Sequence, residues 1–291
     1  MIVSASRRTD IPAFYARWFM QRVRAGFCEV KNPFNAAQIS RVSLAPEDVT
    51  AIVFWTRQPV PLLRYLPELA AMGHQLFFLQ TLMDNPRAID PFCPRPATAV
   101  PRFIALAEAL PGRVTWRYDP VVLTEATPPD WHRRTFERLA ASLEGHTDRV
   151  MVSLLEPYRK VARRLAALAD AGCRLLPVET ATAVRLLVDL RDMAAARGMR
   201  LCTCAQPEGF APAGLAAGRC IDPAWIARLT GRTVPDGRDA SQRGRCGCAP
   251  SKDIGAYDTC LFGCAYCYAT TSFARARAAF ARHDPDAPGL G

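Results

Sequence analysis

Lysine is nearly absent from this 291-residue chain: only Lys31, Lys160 and Lys252 occur, so 34 of the 37 basic residues are arginine. The formal charge of +10 is therefore scattered guanidinium, as at Arg163-Arg164, with no basic block. Solvated helix faces account for most of such charge, and a nucleic-acid partner would rest on charge alone. Histidine is scarce too. His74, His132, His146 and His283 are dispersed, and no Ser/His/Asp or Cys/His order emerges. No glycine-rich phosphate loop follows a strand pattern, and no internal repeat is present. No uninterrupted apolar run approaches the roughly 20 residues that span a bilayer. The opening Met1-Ile-Val-Ser-Ala-Ser-Arg-Arg8 lacks a basic-then-apolar leader pattern. A cytoplasmic location with no membrane partner is expected.

Half of the residues are apolar, enough to bury a full core. Short apolar runs alternate with amphipathic segments, the pattern of a parallel sheet wrapped by helices. The strand candidates are Met1–Ser4, Ala51–Trp55, Gln75–Leu79, Arg113–Trp116, Val150–Leu154 and Met199–Thr203, with Phe27–Val30 as a short extra one. Val100, Phe103, Ile104 and Ala107 form one helical stripe, closed by Gly112; Phe136, Leu139, Ala140 and Leu143 form another, with Asp130 placed to cap it. Asp10-Ile-Pro12 reads as an N-cap before a helix-opening proline, and Asp119-Pro120 as a turn. The expectation is an α/β fold, a partial or complete (β/α) barrel over residues 1–205, with a doubly wound open sheet as the alternative. Residues 206–291 change character: they are rich in Pro and Gly and hold most of the cysteines. This second segment is expected to fold around metal and to cover the barrel mouth, with a loose tail after Arg277.

Eleven cysteines, an odd count clustered toward the C terminus, favour metal ligation in a reducing compartment over disulfides. Cys28, Cys93 and Cys173 stand apart and read as buried small hydrophobes. Cys260, Cys264 and Cys267 form a C-x3-C-x2-C triplet with Tyr266 before the last cysteine. Three thiolates on one short loop can hold three irons of a cubane cluster and leave the fourth open, whereas four cysteines would close it. A zinc site completed by another cysteine is the alternative, and the crowding of three ligands into eight residues argues against it. Cys204, Cys220, Cys246 and Cys248, with Cys202 as a spare, form a second set. It could hold a second 4Fe-4S cluster or zinc, and spacing does not separate the two.

The triplet and Tyr266 resemble the motif of the radical S-adenosylmethionine superfamily. That resemblance implies a 4Fe-4S cluster whose free iron is chelated by the amino and carboxylate groups of S-adenosyl-L-methionine. In the familiar layout the triplet follows the first strand; here it lies near the C terminus. The run from Gly255-Ala-Tyr257 through Cys267-Tyr-Ala269 is most similar to the cluster loop of spore-photoproduct-lyase-like proteins. The whole chain, from Ser4-Ala-Ser-Arg-Arg-Thr-Asp-Ile-Pro12 through Asn32-Pro-Phe-Asn35 to Arg282-His-Asp-Pro285, resembles a domain-of-unknown-function family with radical-type cysteines at its C terminus.

Taken together, the resemblance implies an enzyme that cleaves S-adenosylmethionine reductively to a deoxyadenosyl radical. It would act on a small-molecule or nucleic-acid substrate and draw electrons from a reducing donor such as flavodoxin or ferredoxin. The alternative is a non-catalytic iron–sulfur or zinc module that binds nucleic acid. In β/α barrels, active groups project from the C-terminal ends of strands. Those ends carry Arg7, Arg8 and Asp10, then Thr56, Gln80, Arg117 and Asp119, expected together with Tyr266 to hold cofactor. Ser6, Asn32, Asn35, Arg57, Thr81, Tyr118, Ser153 and Glu156 extend the same rim, and the proline-rich segment Met83–Pro96 reads equally as a rim or lid loop or as a plain surface connector.

Overall fold

The computed structural model describes residues 1–206 and 213–290. Pro207 and Pro212, two of the prolines that mark the change of composition after residue 205, lie outside them. The chain opens with β1 (Ile2–Ser4), α1 (Ile11–Phe14), α2 (Ala16–Ala25) and the hairpin strands β2 (Phe27–Asn32) and β3 (Asn35–Ser43). There follow β4 (Ala51–Thr56), α3 (Val60–Leu63), α4 (Leu66–Ala71), β5 (Leu76–Thr81), α5 (Pro96–Ala109), β6 (Val114–Val121), α6 (Pro129–Leu143) and β7 (Arg149–Leu154). After these come α7 (Ala162–Ala166), α8 (Thr180–Ala195), β8 (Arg200–Cys204), β9 (Ala217–Gly218), α9 (Pro223–Thr230), β10 (Lys252–Asp253) and α10 (Phe273–Ala281).

Eight strands form one all-parallel sheet in the order β10-β1-β4-β5-β6-β7-β8-β9. This is a partial β/α barrel. The six expected strands are its six middle members, because strands buried on both faces read as continuous apolar runs. Both edges come from the C-terminal segment. One face, with Val3, Ile52, Phe54, Phe78, Trp116 and Val152, packs beneath α2, α5, α6 and α8. The other carries Val53, Trp55, Phe77, Leu79, Met151 and Cys202, and is filled by Ile221, Trp225 and Ile226 of the C-terminal segment.

Several local expectations change. Asn32 and Asn35 sit on an antiparallel hairpin outside the main sheet, so they mark no barrel rim; Asn32 instead binds Gln38 and the Phe34 amide. The residue capping α6 is Pro128, and Asp130 lies within the first turn, paired with Arg133 at 2.6 Å. In α5 the buried stripe is Ala99, Phe103, Leu106 and Ala107, leaving Val100 and Ile104 only partly covered. Strand β6 runs through the cis Asp119–Pro120 bond to Val121 where a turn was expected. The tail is docked: the Trp18 indole N–H donates to Ala287 O at 3.0 Å, Glu29 N to Pro288 O at 2.8 Å, and Leu290 joins the core. As expected, Asp10 caps α1, its carboxylate accepting from Ala13 N. No helix among the described residues is long and apolar enough to cross a membrane.

Candidate functional site

A cavity of about 450 Å³ opens where the strands end and the C-terminal segment folds over them. Its walls bring together Arg7, Arg8, Asp10, Thr56, Arg117 and Asp119 from the strand ends. Cys260, Cys264, Tyr266 and Cys267 line another part. Cys204, Cys220, Cys246 and Cys248 line a third. Among the described residues no two cysteines are joined by a disulfide. Gln80 does not line the cavity. It lies on the same side of β5 as Leu76 and Phe78, which face the helices, and its amide is buried without a partner among the described residues; the next residue, Thr81, does line the cavity.

The first βα loop is held by the tail. Asp253 Oδ1 accepts from Ser6 Oγ at 2.7 Å, Arg8 Nε at 2.9 Å and Gly255 N at 3.0 Å. Its Oδ2 accepts from Ser4 Oγ and Arg7 N, each at 2.8 Å. Burial alone would raise the Asp253 pKa, but Arg8 and these hydrogen bonds outweigh it and hold the carboxyl below its usual value. Arg8 is thus committed to Asp253. Arg7 stacks over Trp55 at 4.9 Å, has Asp239 at 4.0 Å, and keeps a buried Nη2 without a partner among the described residues. Asp10 accepts from Thr56 Oγ1 at 2.7 Å and Arg57 N at 2.6 Å; burial pushes its carboxyl up to about 7 against those bonds. Asp119 pairs with Arg117 and accepts from Ser153, while Arg117 Nε is buried and has no partner among the described residues.

The triplet loop reverses at Gly263, whose φ of +71° favours glycine. It is stitched to residues 85–95, between β5 and α5. Ala265 N donates to Ile89 O at 2.9 Å and Phe92 N to Phe262 O at 3.3 Å. The Tyr266 hydroxyl donates to Asp90 at 2.9 Å and accepts from Arg57, whose guanidinium lies 3.4 Å from Asp90. Cys93 is no isolated core thiol: its sulfur lies 3.6 Å from that of Cys264. Sequence reasoning missed Asp90, Cys93 and Asp253. The signal available for the first two was the proline-rich rim loop that contains them; for Asp253 there was none.

In the second set, Cys204 and Cys220 are 3.7 Å apart, and Cys248 accepts from Ile221 N at 3.4 Å. Hydrogen bonds from neighbouring thiols push Cys204 and Cys248 toward thiolate against burial, helped by Arg117 and then Arg243 at Cys204 and by Arg7 at Cys248, while Cys220 and Cys246 are pushed up as the proton donors. A single zinc ion with Zn–S bonds of about 2.3 Å sets its sulfurs about 3.8 Å apart. Cys204 and Cys220 fit that edge. Yet among the described residues only Asp90, Cys93 and Cys264 bring three ligand atoms within 4.8 Å of one another. No three sulfurs of either set therefore lie within 4.8 Å of one another, although Cys204 and Cys220 keep the spacing of a shared ion.

Fold and cavity define a partial β/α barrel whose strand ends are covered by cysteine-bearing loops. The chain belongs to the family described as Domain of unknown function (DUF1848), whose model matches residues 2–269. No curated protein matches it. A solved structure, the carboxyl transferase domain from Rhizobium etli pyruvate carboxylase with 3-hydroxypyruvate, is 12% identical over 79% of this chain with a TM-score of 0.25. The chain spans 46% of that one, and the likeness is too slight to bear on fold or function.

Proposed function

We infer that the protein is an iron–sulfur enzyme of the radical S-adenosylmethionine type. The observation that carries this reading is that Cys260, Cys264 and Cys267 share one cavity with the polar strand ends. Three thiolates would hold a 4Fe-4S cluster with one iron free for the cofactor, while the second set would hold a closed 4Fe-4S cluster or zinc. When bound, such a cluster and cofactor supply reductive C–S cleavage, yielding methionine and a deoxyadenosyl radical that takes hydrogen from substrate. The chain's own residues do the rest. Tyr266, with its hydroxyl engaged by Asp90 and Arg57, offers its backbone to the adenine side. Arg7 and Arg117, each with a buried nitrogen that has no partner among the described residues, can turn toward carboxylate or phosphate oxygens. Asp119 and Thr56 offer acceptors to a ribose. Trp55, which lines the cavity, belongs to the same buried apolar cluster as Phe77 and Leu79 and offers the site a dry wall. Electrons would come from a reducing donor of flavodoxin or ferredoxin kind.

Anaerobic reconstitution with iron and sulfide tests this. The expected result is iron at the triplet, a spectrum that changes on adding S-adenosylmethionine, and deoxyadenosine after chemical reduction. A colourless protein holding only zinc would abandon the reading. The zinc edge fitted by Cys204 and Cys220 is what favours the alternative, a non-catalytic metal module binding nucleic acid through its arginines. In that case duplex or single-stranded nucleic acid should bind with strong salt dependence.

A further inference from the structure

We propose that Cys93 is a positioning residue for the triplet site: its thiol donates a hydrogen bond to the Cys264 sulfur and raises the reduction potential of the cluster held there. The inference rests on the iron–sulfur reading above. Cys93 and Cys264 lie 3.6 Å apart sulfur to sulfur, both buried. Either sulfur could donate when both are thiols. Once Cys264 is a metal-bound thiolate it carries no proton, so the direction is fixed and Cys93 is the donor. Cys93 itself does not line the cavity that Cys264 lines; it is buried in an apolar cluster with Cys264 and Phe262. That placement suits a supporting donor better than a fourth ligand.

The contact is built in by its loop. Arg87 Nη1 donates to Pro91 O at 2.9 Å and to Cys93 O at 2.7 Å, fixing the backbone that carries the thiol. Two backbone bonds, Ala265 N to Ile89 O and Phe92 N to Phe262 O, set the distance between the two segments. Cys93 is 5% exposed, so water does not replace the donor when it is removed. A hydrogen bond to a ligand sulfur stabilises the reduced, more negative form of a cluster and moves its potential up.

Redox titration of the reconstituted parent, Cys93→Ala and Cys93→Ser, followed by EPR and iron content, tests the proposal. Cys93→Ala should keep its iron and fold but show a more negative midpoint for the triplet cluster. Cys93→Ser, which keeps an O–H donor, should fall between parent and Cys93→Ala. A purely structural role would not produce that order. Equal midpoints in all three proteins would overturn the proposal. Loss of triplet iron from both folded variants would overturn it as well, making Cys93 a ligand. A parent that takes up no iron at the triplet would instead sink the underlying reading, so the two failures are distinguishable.

Discussion

Replacing Asp253 by asparagine should unhook the first βα loop from the C-terminal segment and cost about 3 kcal/mol. The carboxylate accepts five hydrogen bonds, from Ser4, Ser6, Arg7 N, Arg8 and Gly255 N. An amide keeps one oxygen, which can retain the Ser6, Arg8 and Gly255 bonds in neutral form. Its nitrogen, however, meets the Arg7 N–H donor to donor. Ser4 can rotate its hydroxyl and accept. One unpaired N–H costs about 1–3 kcal/mol, and breaking a buried pair from one side costs about 3–5 kcal/mol. The low end applies, because Arg8 Nη2 still holds the Asp253 carbonyl at 2.9 Å and the Arg8 and Asp253 side chains are 12% and 17% exposed. With an unfolding entropy of about 2 cal/mol/K per residue, 3 kcal/mol in 291 residues is a fall in Tm of about 5 °C. Thermal melts by circular dichroism read it. The pH dependence supplies a second check. The folded pKa of Asp253 lies below the ordinary 3.8, so its contribution is complete above that value and fades as pH falls through it toward the folded pKa. The gap between parent and Asp253→Asn should narrow on the same acid descent. A variant that melts within a degree of the parent at pH 7 would refute the reasoning, leaving the hub geometry without energetic weight.

Further outcomes follow from the same geometry. Cys264→Ala should abolish iron at the triplet while far-UV circular dichroism stays unchanged, since the loop lies outside the strand–helix units; joint loss of both metal sites with unfolding would make the two sets one structural unit. Single alanine variants at Cys204, Cys220, Cys246 or Cys248 should lower soluble yield and Tm of the metal-loaded protein more than triplet variants do, because structural metal can contribute about 10 kcal/mol or more; variants that melt like the parent would remove the quartet as a structural ligand set. Trp225→Ala should destabilise by about 4 kcal/mol, because its buried ring packs on Phe77 at 4.7 Å, stacks beneath Arg149 and donates to Gly112 O at 2.9 Å; an urea midpoint within error of the parent would contradict that.

What was legible in the sequence follows from how each part is buried. The six middle strands could be read because both faces are covered, which leaves uninterrupted apolar runs such as Ala51-Ile-Val-Phe-Trp55. Strand β3 could not: Asn35–Ser43 lies in a separate hairpin, carries Arg41 and exposes Ile39, so it shows little apolar signal. Strands β9 and β10 are two residues each, too short for any period to register. Gln80 was misjudged on parity. Its neighbours Phe78 and Leu79 point to opposite faces, and counting by two from Phe78 assigns Gln80 to the helix side and Thr81 to the cavity. Cys93 was hidden because its partner is 171 residues away, a pairing that no local spacing expresses.

The position of the triplet near the end of the chain loses its oddity once β10 is placed. Lys252–Asp253 pairs in parallel with Val3–Ser4, so the chain leaves β10 at the same rim, and in the same direction, as it leaves β1. Cys260 follows Asp253 closely in sequence, within the short run that begins at this rim. The bonds from Asp253 to Ser6, Arg7 and Arg8 then lock the two departing segments side by side. Gly255 is required there, since a Cβ would collide with the Ser6 side chain. A late strand inserted beside the first one thus delivers a C-terminal loop to the mouth of β1. Distance along the sequence is exchanged for adjacency in the sheet, and the polar ends of β1, β4 and β6 face the same cavity as the triplet.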